Sequence, residues 1–162
     1  MHAPPGQPLD LFVSVTDSQG FPVRLKLHSP SESKESEHRI TLSFTDGGNG
    51  LGDAAELAFA ARATASFPGA FPPFNVAEMD GVLKSRKRDW AGRASFLSRQ
   101  LGGHDNPEQA VLIDGSVLSN APFAPAIMAL KDRPARREID RRFVYIDPKP
   151  TSGRAFAFNR NK

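Results

Sequence analysis

Residues 110–120, A-V-L-I-D-G-S-V-L-S-N, decide how the rest of the chain is read. Ala110, Val111, Leu112 and Ile113 form a short apolar run of the kind that makes a buried strand, and the run stops at Asp114 and Gly115. A carboxylate placed where an apolar strand ends and a glycine turns the chain stands where α/β proteins put their sites. Backed by Val111, Leu112 and Ile113, it would be partly desolvated and rigidly held, as a group that orients or deprotonates a hydroxyl must be. Asp-Gly is also a common turn dipeptide, so the local pattern by itself supports a plain turn as well. Ser116 and Asn120 follow, and then a helix expected over residues 122–131, with proline in its first turn, where the missing N–H costs nothing.

Upstream of this stretch the sequence turns helical. Residues 79–101 are helix-prone, with breaks expected near Gly81 and Gly92, and Trp90, Ala94, Leu97 and Leu101 make an apolar stripe that marks Trp90 as a core anchor. Asp53 and Glu56 match the D-x-x-E form of a capping box, which predicts a helix from there to about Ser66, ended by Pro68 and Gly69. Residues 46–52, D-G-G-N-G-L-G, space Gly48, Gly50 and Gly52 as G-x-G-x-G after a half-polar strand. A dinucleotide loop needs G-x-G-x-x-G after a buried one, so this stretch reads as a flexible connection.

Further upstream the period changes to two. Residues 9–15 (L-D-L-F-V-S-V) and 22–28 (P-V-R-L-K-L-H) read as two strands of a hairpin joined by the turn cluster T-D-S-Q-G at 16–20. Residues 29–38 are poor in apolar side chains and predict a mobile loop, and residues 39–45 alternate again and should pair with the hairpin. At the other end, residues 142–146 (R-F-V-Y-I) read as a last strand, stopped by Asp147 and Pro148. Strands, helices, a short strand, a helix and a strand in that order predict an α/β layer arrangement with mixed strand pairing.

Composition sets outer limits. The chain has 162 residues, with 39% apolar and 24% charged residues, 13 Gly and 14 Pro, which fits one globular unit rich in irregular connections. A formal charge of +3 is too mild to name a partner. Without cysteine there is no disulfide, thiol nucleophile or Cys-based zinc site, and an intracellular setting is favoured. The first eight residues carry no basic stretch followed by an apolar core, and no apolar run approaches the roughly 18 residues needed to cross a bilayer. The expectation is a soluble, cytoplasmic protein. A core-quality strand within a few residues of Met1 raises the expectation that the chain is part of a longer domain.

Two segments, taken together, resemble a known family. Residues 60–74 (A-A-R-A-T-A-S-F-P-G-A-F-P-P-F) followed by residues 111–122 (V-L-I-D-G-S-V-L-S-N-A-P) resemble, in order and spacing, the second half of patatin-like phospholipases. There, a helix ending in a segment of the A-S-x-A-x-P-x-x-F-P-P type precedes a strand that leads into a D-G-G or D-G-A motif. Residues 13–20 (V-S-V-T-D-S-Q-G) look like the strand and T-D-x-x-G turn that follow the family's nucleophile region. R-A-T-A-S-F-P-G-A-F-P-P, with R-R-E-I-D-R-R at 136–142, looks closest to large bacterial patatin-related proteins. The resemblance covers residues 9–150. It implies a partial patatin-like three-layer α/β/α domain with a mixed sheet over residues 1–150, lacking the N-terminal half and its nucleophile elbow. Residues 151–162 would be a tail or the start of a following segment.

By the same resemblance Asp114 takes the place of the catalytic aspartate and Gly115 that of the first motif glycine. Ser116 stands where the family carries Gly or Ala. The implied chemistry is phospholipase A-type ester hydrolysis by a serine–aspartate dyad, with a phospholipid or other lipid ester as substrate and no cofactor. These residues contain no G-x-S-x-G and no glycine-rich oxyanion loop. The chain is therefore expected to supply the aspartate and to be inactive alone. The alternative is a non-catalytic lipid-binding or protein-interaction module built on the same fold.

Other side chains in the sequence also have the chemistry of candidates. Ser116 and Ser119 are substitute nucleophiles in principle, but Ser116 lies too near Asp114 along the chain for dyad geometry. His2, His28, His38 and His104 lack metal-ligand spacing and most of them read as surface residues, so no metal is expected. Lys84, Arg86, Lys87 and Arg88 suit peripheral contact with an anionic membrane surface, or a solvated helix face. Residues 133–142 (R-P-A-R-R-E-I-D-R-R) carry the same choice, with acidic neighbours that point to local ion pairs. The aromatics follow core and Phe-Pro patterns, which argues against nucleic acid. Leu11, Val13, Val15 and Ile113 are expected to leave one core face uncovered, which invites self-association.

Overall fold

The computed structural model describes residues 8–26, 32–46, 48–133 and 138–146. Its sheet has three strands in the order β2-β1-β3, with β1 at Leu9–Lys26, β2 at Glu32–Asp46 and β3 at Leu112–Asp114. The helices are α1 (Ala54–Thr64), α2 (Val76–Ser85), α3 (Arg93–Leu101) and α4 (Phe123–Ala129). A mixture of helices and sheet agrees with the α/β reading. The pairing does not: both strand pairs are antiparallel among the described residues.

The expected hairpin over residues 9–28 is replaced by one long strand. T-D-S-Q-G does not reverse the chain; it bulges out of β1, so that Thr16 faces Arg39 and Phe21 faces Glu37 on β2. β1 does not reverse before Lys26, and residues 32–38, expected in a mobile loop, continue the ladder as far as Lys26 opposite Glu32. Polar side chains are tolerated there because they project from a ladder whose backbone bonds are already made. Beside the bulge, Arg39 holds Glu37 through Nε at 2.9 Å and Nη2 at 3.0 Å. That side-chain hydrogen bond, with help from the Arg39 backbone N–H, lowers the Glu37 carboxyl from 4.5 to about 2. A depressed carboxyl stabilises the fold fully above about 4.5 and stops doing so as pH falls through about 2. An NMR titration of the Glu37 side chain should therefore give a midpoint near 2. A midpoint in the ordinary glutamate range would show that Arg39 does not hold it.

On one face of the sheet, Ile40, Leu42 and Phe44 of β2 join Val15 of β1 in a core covered by α1 and α3. Phe59 of α1 is fully buried at its centre, with ring centroids 4.9 Å from Phe74, 5.2 Å from Phe96 and 5.8 Å from Trp90. Trp90 is the anchor expected of it. The stripe drawn around it needs correction, because Ala94 is exposed and Phe96 is buried instead. Gly81 does not break the helix; α2 runs through it and ends before Lys87, the non-glycine residue with positive φ (51°) among the described residues. The free edge of β2 is covered by Gln100 of α3, whose amide accepts from Ser43 N–H at 3.0 Å and donates to Ser43 C=O at 2.8 Å, as a neighbouring strand would.

Asp53 caps α1 by accepting the Ala55 N–H at 2.6 Å, while Glu56 turns away from a reciprocal capping bond to meet Arg99 at 3.2 Å. Asp46, 1% exposed, accepts the N–H groups of Gly48 (2.7 Å) and Gly50 (2.8 Å). The backbone donors that a phosphate would need are thus directed at the chain's own carboxylate. α4 lies toward the opposite face, where Phe12, Thr41 and Ser43 share a shallow cavity with Pro125 and Met128. Residues 142–146 do not form the expected strand. They have no strand partner among the described residues and leave Val144 and Ile146 largely exposed.

The four residues expected to share an uncovered face divide. Leu11 is exposed, Val13 and Ile113 are half-buried, and Val15 is buried, because α1 reaches the β1–β3 end of the sheet.

Candidate functional site around Asp114

Asp114 ends β3 opposite Val15. Two contacts place it. Its N–H donates to Ser66 C=O at 3.1 Å, and its Oδ1 accepts the Ser116 N–H at 2.7 Å, capping a 3₁₀ turn over Gly115–Val117. Oδ2 has no partner among the described residues. One carboxylate oxygen therefore holds the turn, and the other is available to a ligand. The side chain is half-buried.

Gly115 is fixed by close approach. A Cβ on it would lie 2.2 Å from Ser14 C=O oxygen and 2.3 Å from the Ser14 carbonyl carbon. Ser14 C=O also accepts the Thr64 hydroxyl at 3.0 Å, so α1, β1 and the turn after β3 converge on one peptide. Ser116 is exposed.

The two segments singled out in the sequence meet here. Besides the Ser66–Asp114 bond, Phe74 and Leu112 form an antiparallel bridge, each N–H donating to the other's C=O at 2.8 Å. Arg62 braces the loop between them. It pairs with Glu78 at 3.1 Å, bonds Ser66 Oγ and lies 5.2 Å over the Phe74 ring. The loop projects Phe67 (53% exposed) and Phe71 (58%), and Val117 and Leu118 are exposed just past Asp114. A free carboxylate oxygen beside exposed apolar side chains suits an apolar ligand with a polar centre. Comparison with known proteins gives no match: no family model, no curated protein and no solved structure matches this chain.

A buried carboxylate near this site, Asp17, was not legible in the sequence. Asp17, in the β1 bulge, is 1% exposed. Its Oδ2 lies 2.9 Å from His104 Nε2, and its Oδ1 accepts the N–H groups of Gln19 (3.0 Å) and Val111 (3.3 Å). His104, expected on the surface, has a side chain only 7% exposed, its ring tilted against Phe21 at a centroid distance of 4.5 Å, with Nδ1 3.1 Å from Leu101 C=O. The pair lies 87 residues apart in sequence, and no spacing rule links such positions. It fastens the start of β3 to the bulge, and so supports Asp114 from a distance. His38 is partly buried, with Nδ1 2.8 Å from Asp17 C=O, and His2 and His28 lie outside the described residues.

Lys84, Arg86, Lys87 and Arg88 are all exposed, but Trp90 is in the core and Arg93 is committed to Asp80 and Glu108, both at 2.9 Å. Those two carboxylates raise the Arg93 guanidinium above its ordinary value. In the segment 133–142, Arg142 makes the local pair with Asp140 that its acidic neighbours implied, whereas Arg133 pairs with the distant Asp10, and residues 134–137 lie outside the described ones. No group of three or more potential metal ligands occurs among the described residues, and no helix there is long and apolar enough to cross a membrane.

Proposed function

We propose that these residues belong to a lipid acyl hydrolase of the patatin-like kind, with a three-layer α/β/α domain in the intact protein, in which Asp114 is the base of a serine–aspartate dyad. The observation that carries the proposal is the meeting of residues 60–74 with residues 111–122 at Asp114, with Oδ2 unengaged among the described residues. In this reading Oδ2 takes the proton of a serine hydroxyl as that hydroxyl attacks an ester carbonyl. Backbone N–H groups hold the oxyanion, the alcohol leaves with the proton, and water then releases the fatty acid. Phe67, Phe71, Val117 and Leu118 would border the acyl chain.

The serine and the oxyanion donors are absent from these 162 residues, so the reading assigns them to another segment. The purified chain is expected not to hydrolyse p-nitrophenyl butyrate above the buffer rate. A longer product of the same reading frame that includes a G-x-S-x-G segment should hydrolyse it, and Asp114→Asn should lower its kcat on the order of 10⁴-fold. Hydrolysis by the 162-residue chain that disappears in Asp114→Asn would overturn the incomplete-site reading. Ser116 in place of the family's Gly or Ala, together with the exposed apolar side chains, favours one second reading, a lipid-binding or protein-interaction module without catalysis. A reading frame without any G-x-S-x-G segment would select it. Peripheral contact with anionic membranes through Lys84, Arg86, Lys87 and Arg88 fits either reading.

A further inference from the structure

A cavity of about 600 Å³ opens between α1 and α2, and none of its lining residues belongs to β3 or to the turn after it. Its volume falls within the roughly 300–1,000 Å³ usual for small-molecule sites. Ala54, Ala58, Phe74, Met79, Val82 and Leu83 give it an apolar floor. Its charged rim separates into two sets. Arg62 is paired with Glu78, while Asp53, capping α1, and Asp89, accepting the Trp90 N–H at 2.9 Å, are each engaged through Oδ1. Arg86 and Arg88, also on the rim, have no side-chain hydrogen bond or ion pair among the described residues.

The turn that carries these two arginines is built. Lys87, between them, takes a φ of 51°, which side chains rarely adopt without support. The N–H of Arg86 donates to Val82 C=O (3.1 Å), that of Lys87 to Lys84 C=O (3.1 Å), and that of Arg88 to Leu83 C=O (2.9 Å). The backbone of this turn is thereby fixed at the mouth of the cavity, with the side-chain donors of both arginines unused among the described residues. A guanidinium fork matches a carboxylate, and an apolar floor of this size matches one alkyl chain.

We infer that this cavity binds a single-chain amphiphile with a carboxylate head, a long-chain fatty acid, with its chain on the floor between α1 and α2 and its head between Arg86 and Arg88. The site is independent of the reading of Asp114. The test is calorimetric titration of the 162-residue chain with laurate below its micellar concentration, beside methyl laurate and dodecyltrimethylammonium. One laurate should bind per chain, more tightly than either comparison compound. Arg86→Glu/Arg88→Glu should weaken laurate at least tenfold while changing methyl laurate less than twofold, which also reports that the variant is folded. Ala58→Phe should block both ligands, and Asp114→Asn should leave laurate binding unchanged. The inference is overturned by an absence of saturable laurate binding, by equal affinity for laurate and its methyl ester, or by an unaffected double variant. Preference for anionic vesicles over monomeric laurate would also overturn it and would favour a membrane surface.

Discussion

Gly115→Ala is expected to destabilise the chain by about 3 kcal/mol, near the upper end of what overpacking a core position costs. The added methyl would sit 2.2 Å from the Ser14 carbonyl oxygen, and the obstacle is backbone, which cannot rotate away as a side chain can. Nor can Ser14 move freely, because its C=O accepts the Thr64 hydroxyl while β1 is paired with β2 through Thr41 on the other side. Relief must come from the turn after β3, which would draw Asp114 off Val15. For a chain of this length the loss corresponds to a fall in Tm of roughly 6–12 °C. Ser116→Ala, at an exposed neighbouring position, should stay within about 0.5 kcal/mol of the parent. Thermal melts of both variants decide the matter. If Gly115→Ala melts with the parent, the close approach to Ser14 is not a feature of the folded chain.

This glycine also shows how far the sequence could be read. Ala110 to Asp114 announced a short buried strand because four apolar residues ended at a turn dipeptide, and β3 lies there. The reason for Gly115 was not visible, since the peptide it approaches is Ser14, far away in sequence. The same limit explains the N-terminal strands. T-D-S-Q-G has turn chemistry, and a turn was a fair local reading. Asp17 instead points into the core toward Val111 and His104, and that nonlocal satisfaction turns the cluster into a bulge while β1 continues to Lys26. For residues 142–146 the run of aromatic and β-branched residues was real, but a strand is defined by its partner, and none is present among the described residues. Helices were read more faithfully. Their caps and periodicity are local, and Asp53 caps α1 where its position predicted. At the candidate site the strand-end rule marked Asp114 as a candidate but supported a plain turn as well, and the resemblance carried by residues 60–74 and 111–122 chose between them. The anchoring of Asp114 by Ser66, its free Oδ2 and the supporting pair of Asp17 with His104 required the three-dimensional structure.

Asp17→Ala should be the most damaging change of those considered, at about 3–5 kcal/mol. The carboxylate is 1% exposed and serves three groups at once, the Gln19 and Val111 N–H groups and His104 Nε2. Removing it leaves all three without their partner in a site that the His104 ring, packed against Phe21, keeps closed. Asp17→Asn separates charge from hydrogen bonding. An asparagine can still accept from Gln19 and Val111 through its oxygen and donate to His104 Nε2 through its amide, while His104 Nδ1–H donates to Leu101 C=O. It should therefore recover most of the loss, and equal damage from Asn and Ala would show instead that the ionic form of the pair is what matters. His104→Ala should approach the cost of Asp17→Ala, and the double variant should cost much less than the sum, since each single change strands the other partner. The consequence reaches the candidate site through the chain itself. Val111 is held by Asp17 and by Ser18, whose N–H donates to Val111 C=O at 2.8 Å, and Asp114 is three residues farther on. Amide exchange at Ile113 and Asp114 should accelerate in Asp17→Ala. If it does not, the pair closes only its own bulge, and Asp114 is positioned by Ser66, Ser14 and Phe74 without it.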